Sequence, residues 1–369
     1  MQKNTSYQAL DADGHVHEET RMFTEYLDRP FRNLTEGWKL NADKNRRFIV
    51  AGTEHPPFPK EISVRKPMSA KNRIKILNKE DIALSVLFPS AALTAGYMEP
   101  NFSQAIMRAY NSWMSNWCNE NPNRLKFAAP VVLYDITEAI REAKRAVQKL
   151  GAIAISVRPN PSEGKRLDSP DRELFYSTVE DLDVPLVIHE STGDPNTAGG
   201  NRYGGMDLPE NYLFHHIISH PFEQMMAMMG MICGGVLERH PRLKVGFFEA
   251  GCSWVPYWLS RLDEHFEHPK LGHYMRDLTM KPSGYFERQC VVTCDPGDKT
   301  IPIAIENLGP DKVLFATDYP HFDSQGGAVK AFMNVPGISA ENQKKILHDN
   351  ALSFYGIVLP KKTPKSVPN

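Results

Sequence analysis

The sequence has few cysteines, no long apolar run and no surplus of either charge, and each shortage excludes a class of protein. Five cysteines occur in 369 residues: Cys118, Cys233, Cys252, Cys290 and Cys294. An odd number without framework spacing points to reduced thiols rather than a disulfide scaffold. Cys290 and Cys294 share a strand face in CVVTC. At ~3.3 Å per residue their Cα atoms stand roughly 13 Å apart, too far for a bridge. No CxxC pair exists for a structural zinc, and no GxSxG elbow for a serine nucleophile. No apolar stretch approaches the ~18 residues a membrane span needs. The opening MQKNTSYQAL has neither the basic nor the apolar region of a secretory signal, so a cytoplasmic location is expected. Lys and Arg number 43 against 44 Asp and Glu, and no basic run marks a nucleic-acid surface.

What is present is an alternation of short apolar runs and helical patterns. Strands are expected at 9–13, 82–88, 126–132, 152–157, 185–189, 244–248, 289–293 and 313–317, each β-branched or aromatic enough to be buried. Helical patterns lie at 103–118, 137–150, 171–183, 221–239, 254–266 and 300–308, and Gly151 stops the second of them. This order predicts an α/β fold with a parallel sheet covered by helices. Eight strands favour a (β/α)8 TIM barrel over an open sheet. The barrel is expected over 1–359, with 16–80 inserted after the first strand as a cap. A second long segment, 190–220, contains GDPNTAGGNRYGG and reads as a lid or partner-contact loop; it lacks the context of a phosphate loop. The Pro/Lys-rich 360–369 reads as a flexible tail.

Acids and histidines close several of these runs. Asp13 and His15 end ALDADGH, His189 ends VPLVIH, Glu249 ends KVGFFE and Asp318 ends KVLFATD. In a barrel such residues collect at the C-terminal rim, where the chemistry sits. Asp13 and His15 share a strand face and can converge on one divalent ion, whereas His17 falls beyond the expected strand end at Gly14. A neutral His189 is a common ligand of Zn, Fe or Mn, although a lone histidine is more often a satisfied core residue. A buried Glu249 needs a metal or an arginine as its partner. Asp318 can bind a metal and take a proton from bound water, with His321 three residues on. Arg158 can fork onto a substrate carboxylate or serve a structural ion pair. Glu190 points to the face opposite His189. The methionines of QMMAMMGMICGG read as helix core, and the adjacent His215 and His216 diverge on any regular element.

These segments together resemble the amidohydrolase superfamily, in the branch containing aminocarboxymuconate-semialdehyde decarboxylase. The resemblance runs over 9–356 and rests on DADGH, GAIAISVRPNP, VPLVIH, GGVLERHPRLKV, EAGCSWVPYWLSRLD, ATDYPH and ILHDNALSFYG. It implies a barrel with a divalent metal at its rim. The family's first-strand pair falls on Asp13 and His15, its fifth-strand His on His189 and its eighth-strand Asp on Asp318. Two departures stand out. Asp13 replaces the usual His or Glu, and Glu249 stands where the decarboxylases carry a catalytic His. Ser156 and Arg158 occupy the fourth-strand region, where two-metal members carry a bridging Lys or Glu, so one ion is expected rather than two. The leading expectation is a hydrolase of amide, ester, thioester or lactone substrates. Asp318 would orient the attacking water, His321 and Glu249 would move protons, and Arg158 would anchor an acid group. The alternatives are a non-oxidative decarboxylase of a hydroxy-aromatic or enol-type carboxylate, and a metal-binding protein without catalysis. The resemblance and the aromatic segment WVPYW at 254–258 imply a homodimer or larger assembly acting on a small molecule, with no nucleic-acid or membrane partner.

Overall fold

Eight parallel strands form one continuous sheet. They are β1 (Ala9–Val16), β2 (Ile82–Pro89), β3 (Leu125–Pro130), β4 (Ala154–Val157), β5 (Leu186–His189), β6 (Val245–Phe248), β7 (Cys290–Cys294) and β8 (Val313–Phe315). Each pairs with the next in sequence order. The last strand returns to the first: Asp318 N donates to Asp13 O at 3.0 Å and His15 N to Tyr319 O at 2.8 Å. The expected (β/α)8 barrel is therefore what forms. The structure, a computed structural model, describes residues 7–40, 46–50, 53–55, 67–94, 96, 98–190, 209–275, 277–321, 324 and 326–359.

Helices α1 (Ala70–Lys79), α2 (Pro100–Cys118), α3 (Ile136–Leu150), α4 (Glu173–Asp181), α5 (Pro209–Cys233), α6 (Trp254–Glu267), α7 (Pro282–Gln289) and α8 (Ile301–Leu308) form the outer layer. Their ends follow local chemistry. The Asp135 side chain accepts from Thr137 N and Glu138 N, and Gly151 closes α3 in the left-handed region at φ 79°. Two apolar layers result. One lies between strands and helices around Trp113, Tyr176 and Phe247. The other fills the barrel with Leu10, Val86, Val187 and Leu314, closed by Phe354 and Tyr355 of the last helix. None of the five cysteines is bridged. No helix among the described residues is long and apolar enough to cross a membrane.

The two long segments contain more regular structure than expected. Within 16–80 the chain forms turns at Met22–Tyr26 and Arg29–Leu34, then a three-stranded antiparallel sheet from Thr35–Leu40, Arg46–Val50 and Thr53–His55, then α1. Within 190–220, residues 209–220 are the start of α5, not loop. The helical pattern expected from 221 thus begins a dozen residues earlier and carries Pro221 in its interior, where a proline leaves one carbonyl of the preceding turn without its helical donor. The Gly-rich residues 191–208 and the tail 360–369 lie outside the described residues.

A buried ion pair secures the closure beneath the rim. Asp11 accepts from Ser85 Oγ at 2.6 Å, Thr317 N at 2.9 Å and Thr317 Oγ1 at 2.9 Å. Arg73 of α1 stands 3.5 Å from Asp11 and donates to His15 O at 3.2 Å and Tyr319 O at 2.9 Å. The arginine thus ties β1, β2 and the chain after β8. Only glycine fits at position 14, since a Cβ there would meet Arg73 Nη2 and Asp11 Oδ2 at 2.5 Å. Removing one partner of such a pair strands a buried charge. Arg73→Ala is expected to lower unfolding free energy by about 3–5 kcal/mol. A urea titration showing less than about 1 kcal/mol would mean the pair is not what holds the closure.

Candidate metal centre

Three backbone irregularities aim the side chains at the rim. On β1, Asp11 stands opposite Ser85 and Gly14 opposite Leu87, so three steps match two. This bulge re-aims the strand, as bulges beside functional sites do. Leu10 and Ala12 face the barrel interior. Beyond the bulge Asp13 and His15 face it too, while Asp11 stays outside with Arg73. Glu249 and Asp318 hold φ angles of 61° and 52° at the ends of β6 and β8. A non-glycine residue in that region costs ~1–3 kcal/mol and is kept only where the surroundings over-determine it.

The donor atoms converge. His15 Nε2 lies 3.6 Å from Asp13 Oδ1 and 3.3 Å from Asp318 Oδ1. His189 Nε2 lies 3.3 Å from Asp13 Oδ1, and its Nδ1 lies 3.0 Å from Glu249 Oε2. His321 Nδ1 stands 2.6 Å from Asp318 Oδ1 and 3.5 Å from Glu249 Oε1. Its ring centroid is 3.9 Å from that of His15, and its Nε2 meets Ser90 Oγ at 3.0 Å. Two overlapping ligand groups emerge, Asp13–His15–His189 and His15–Glu249–Asp318–His321, each with donor atoms within 4.8 Å of one another. They share His15, so they are adjoining parts of one site.

The outer hydrogen bonds orient the rings. His15 Nδ1 donates to Pro89 O at 2.8 Å, and His189 Nδ1 donates to Glu190 O at 2.8 Å. Both rings then present Nε2 to the centre, as metal-binding histidines do. His15 Nε2 is buried with no hydrogen-bond partner among the described residues. It faces carboxylate oxygens, which are also acceptors. Acceptors meet like this when a cation belongs between them, and the nitrogen-and-oxygen donor set suits a divalent ion.

Charge is distributed unevenly over these groups. Burial, with His321 beside it, holds His15 well below the ordinary imidazole value. Burial raises Asp13, partly offset by His189. For His189 burial opposes the proton, but Asp13 and Glu249 outweigh it and lift the ring to about 9. For His321 burial is likewise outweighed, here by Asp318 and then Glu249, and the ring rises well above its usual value. Burial opposes ionisation of Glu249, yet His189 and the hydrogen-bonded His321 hold it well below the carboxylate range.

The expected residues fall into two places. Asp13, His15, His189, Glu249, Asp318 and His321 meet at the rim. Arg158 lies on a buried ion pair, with Nη2 3.6 Å from Glu190 Oε1. A Cβ on Gly96 would touch its Cδ at 2.8 Å. β1 runs on to Val16 rather than stopping at Gly14, and His17, just past its end, is buried with its ring 6.2 Å from that of His321. Sequence reasoning missed His220. Its Nδ1 donates to His216 O at 3.0 Å, and its Nε2 lies 3.8 Å from Glu249 Oε1. Burial and the nearby His216 push it down to about 4. The signal was the four-residue spacing of His216 and His220, which puts both on one helix face. A cavity of about 610 Å³ opens over the centre, lined by Asp13, His216, His220, Glu249, Asp298 and Asp318 among others.

The sequence matches the amidohydrolase family profile over residues 77–357. The chain belongs to the amidohydrolase family. Among its relatives is a 2-amino-3-carboxymuconate-6-semialdehyde decarboxylase from Dictyostelium discoideum, 24% identical over 77% of this chain and 76% of the relative. A gamma-resorcylate decarboxylase from Rhizobium sp. (strain MTP-10005) is 24% identical over 83% of this chain and 92% of its own. A 2-keto-4-carboxy-3-hexenedioate hydratase from Sphingobium sp. is 27% identical over 84% and 89%. Among solved structures, the manganese-bound 5-carboxyvanillate decarboxylase of Novosphingobium aromaticivorans superposes with a TM-score of 0.72 at 18% identity. It covers 95% of this chain and 98% of that one.

These relatives overturn the expectation of a hydrolase. That expectation rested on Glu249, read as removing the imidazole that donates a proton in the decarboxylases. The structure removes this ground: His321 and His220 bring imidazoles from two other elements to within 3.5 and 3.8 Å of the Glu249 carboxylate.

Proposed function

We propose that this amidohydrolase-family protein is a metal-dependent, non-oxidative decarboxylase of a hydroxy-aromatic or enol-type carboxylate. The observation that carries the reading is the placement of His321 between Asp318 and Glu249, at 2.6 and 3.5 Å, over a cluster of metal-ligand atoms. The decarboxylase relatives support it. Asp13, His15, His189 and Asp318 would hold one divalent ion, and the manganese in the structural neighbour supports that class of ion. When bound, the ion supplies positive charge for a substrate carboxylate and its adjacent hydroxyl. Loss of carbon dioxide breaks the carbon–carboxylate bond and leaves its electron pair on the ring or enol carbon. That carbon must then receive a proton. His321 would supply it from Nδ1, Asp318 and Glu249 would hold the ring in position, and His220 would line the approach. The hydroxyl of Ser90, 3.0 Å from His321 Nε2, fixes the far side of the ring. Arg158, held by Glu190, would provide cationic charge beside β4. The antiparallel sheet within 16–80 would act as cover.

A panel of ortho-hydroxybenzoates and enol-type acids, offered to the metal-loaded protein, tests the reading. Release of carbon dioxide with a product lighter by one carboxyl group is expected. The hydratase relative and the ionised Glu249 favour a second reading, addition of water to an unsaturated acid, which would appear as a product heavier by one water. No turnover of either kind across the panel would sink both.

We also propose a homodimer or larger assembly. Trp254 and Trp258 of the WVPYW segment pack inward, with Trp258 Nε1 bonded to Met225 O at 2.8 Å, but Tyr257 is 62% exposed. Light scattering at micromolar protein is expected to give at least twice the monomer mass. A monomer at that concentration would contradict the proposal.

A further inference from the structure

Helix α5 touches the centre at two levels. His220 reaches Glu249, and one turn further on the Gln224 side chain is fully buried. Its Nε2 donates to two backbone carbonyls, Ile188 O at 2.9 Å and Phe248 O at 2.8 Å. Each carbonyl belongs to the residue just before a site residue. Ile188 precedes His189 on β5, and Phe248 precedes Glu249 on β6. His189 and Phe248 are register partners at the last step of the β5–β6 ladder. At that end the ladder stops, and a carbonyl there needs a partner from another element. One amide group with two hydrogens meets both needs and spans the gap between the strands.

We infer that Gln224 is a positioning residue of the metal centre. Its amide sets the separation of the two strand ends, and so the placement of His189 against Glu249, 3.0 Å apart. The link is direct, since a shift of either carbonyl carries the next Cα with it. It also ties the strand ends to the helix that carries His220. The inference rests on the proposed metal centre and not on the reaction that centre performs.

Calorimetric titration of metal-stripped protein with Mn²⁺ tests it. Gln224→Met keeps the length of the side chain and removes both donors. Gln224→Asn keeps the donors on an arm one methylene shorter. Gln224→Met is expected to weaken Mn²⁺ binding about 10–100-fold, as loss of outer hydrogen bonds does at metal sites. Its far-UV circular dichroism should stay that of the native protein. Gln224→Asn should fall between native and Gln224→Met. A merely structural role would lower the melting temperature and leave the affinity of the folded protein alone. Mn²⁺ affinity within twofold of native in both variants overturns the inference, as does failure of both to fold, which would make Gln224 a core strut. Native protein that binds Mn²⁺ but releases no carbon dioxide would overturn the decarboxylase reading and leave this inference standing. Native protein that binds no Mn²⁺ would overturn the centre itself.

Discussion

His189→Ala is expected to strip the protein of most of its bound divalent ion and to lower turnover far beyond the ~10–100-fold typical of outer hydrogen-bond partners. His189 ends β5, is fully buried, and aims Nε2 at Asp13 from 3.3 Å. Its ring also stacks on Phe88, with centroids 4.9 Å apart. The truncation therefore removes a ligand and leaves a cavity, but the rest of the barrel core is untouched. Fold stability should drop by no more than an ordinary large-to-small change, roughly 2–5 kcal/mol. Elemental analysis of the purified variant beside native protein checks the first part. Unchanged metal content would show that the ligand set is wrong.

Glu249→Gln is expected to cut turnover by ~10²–10⁴-fold, the range of a general acid–base contribution, while the protein keeps its fold and most of its metal. The reason is geometric. Glu249 faces three imidazoles, at 3.0 Å for His189, 3.5 Å for His321 and 3.8 Å for His220. An amide in its place is neutral and turns either a donor or an acceptor to each ring. His321 then loses one of the two negative charges that hold the proton on its ring. Glu249→His, which puts a further imidazole at the rim, should retain more activity than Glu249→Gln. Steady-state rates for the two variants within threefold of native would remove Glu249 from the account.

The fold was legible because the barrel strands are short, apolar and separated by capped helices. The reading at 82–88 became Ile82–Pro89, and that at 185–189 became Leu186–His189. The strand-end acids and histidines were legible for the same reason, since a polar residue closing an apolar run can only sit at a rim. Other features depend on tertiary geometry that no local pattern records. Simple alternation puts Asp13 and His15 on one face, but Ala12 and Asp13 both face inward only because the pairing of β1 with β2 creates a bulge. The reach of His220 and Gln224 to the centre depends on how α5 packs across β5 and β6. The chemistry was misjudged at one position. Glu249 was weighed by its residue type alone, and the imidazoles that surround it come from the end of β5, from α5 and from the turn after β8.

The most direct test is a decarboxylation assay in D₂O, using metal-loaded protein and a substrate labelled with ¹³C at the carboxyl carbon. All released label is expected to appear as carbon dioxide or bicarbonate. Each product molecule should carry one deuterium at the vacated carbon. Label retained in the product, with no deuterium at that carbon, would contradict it.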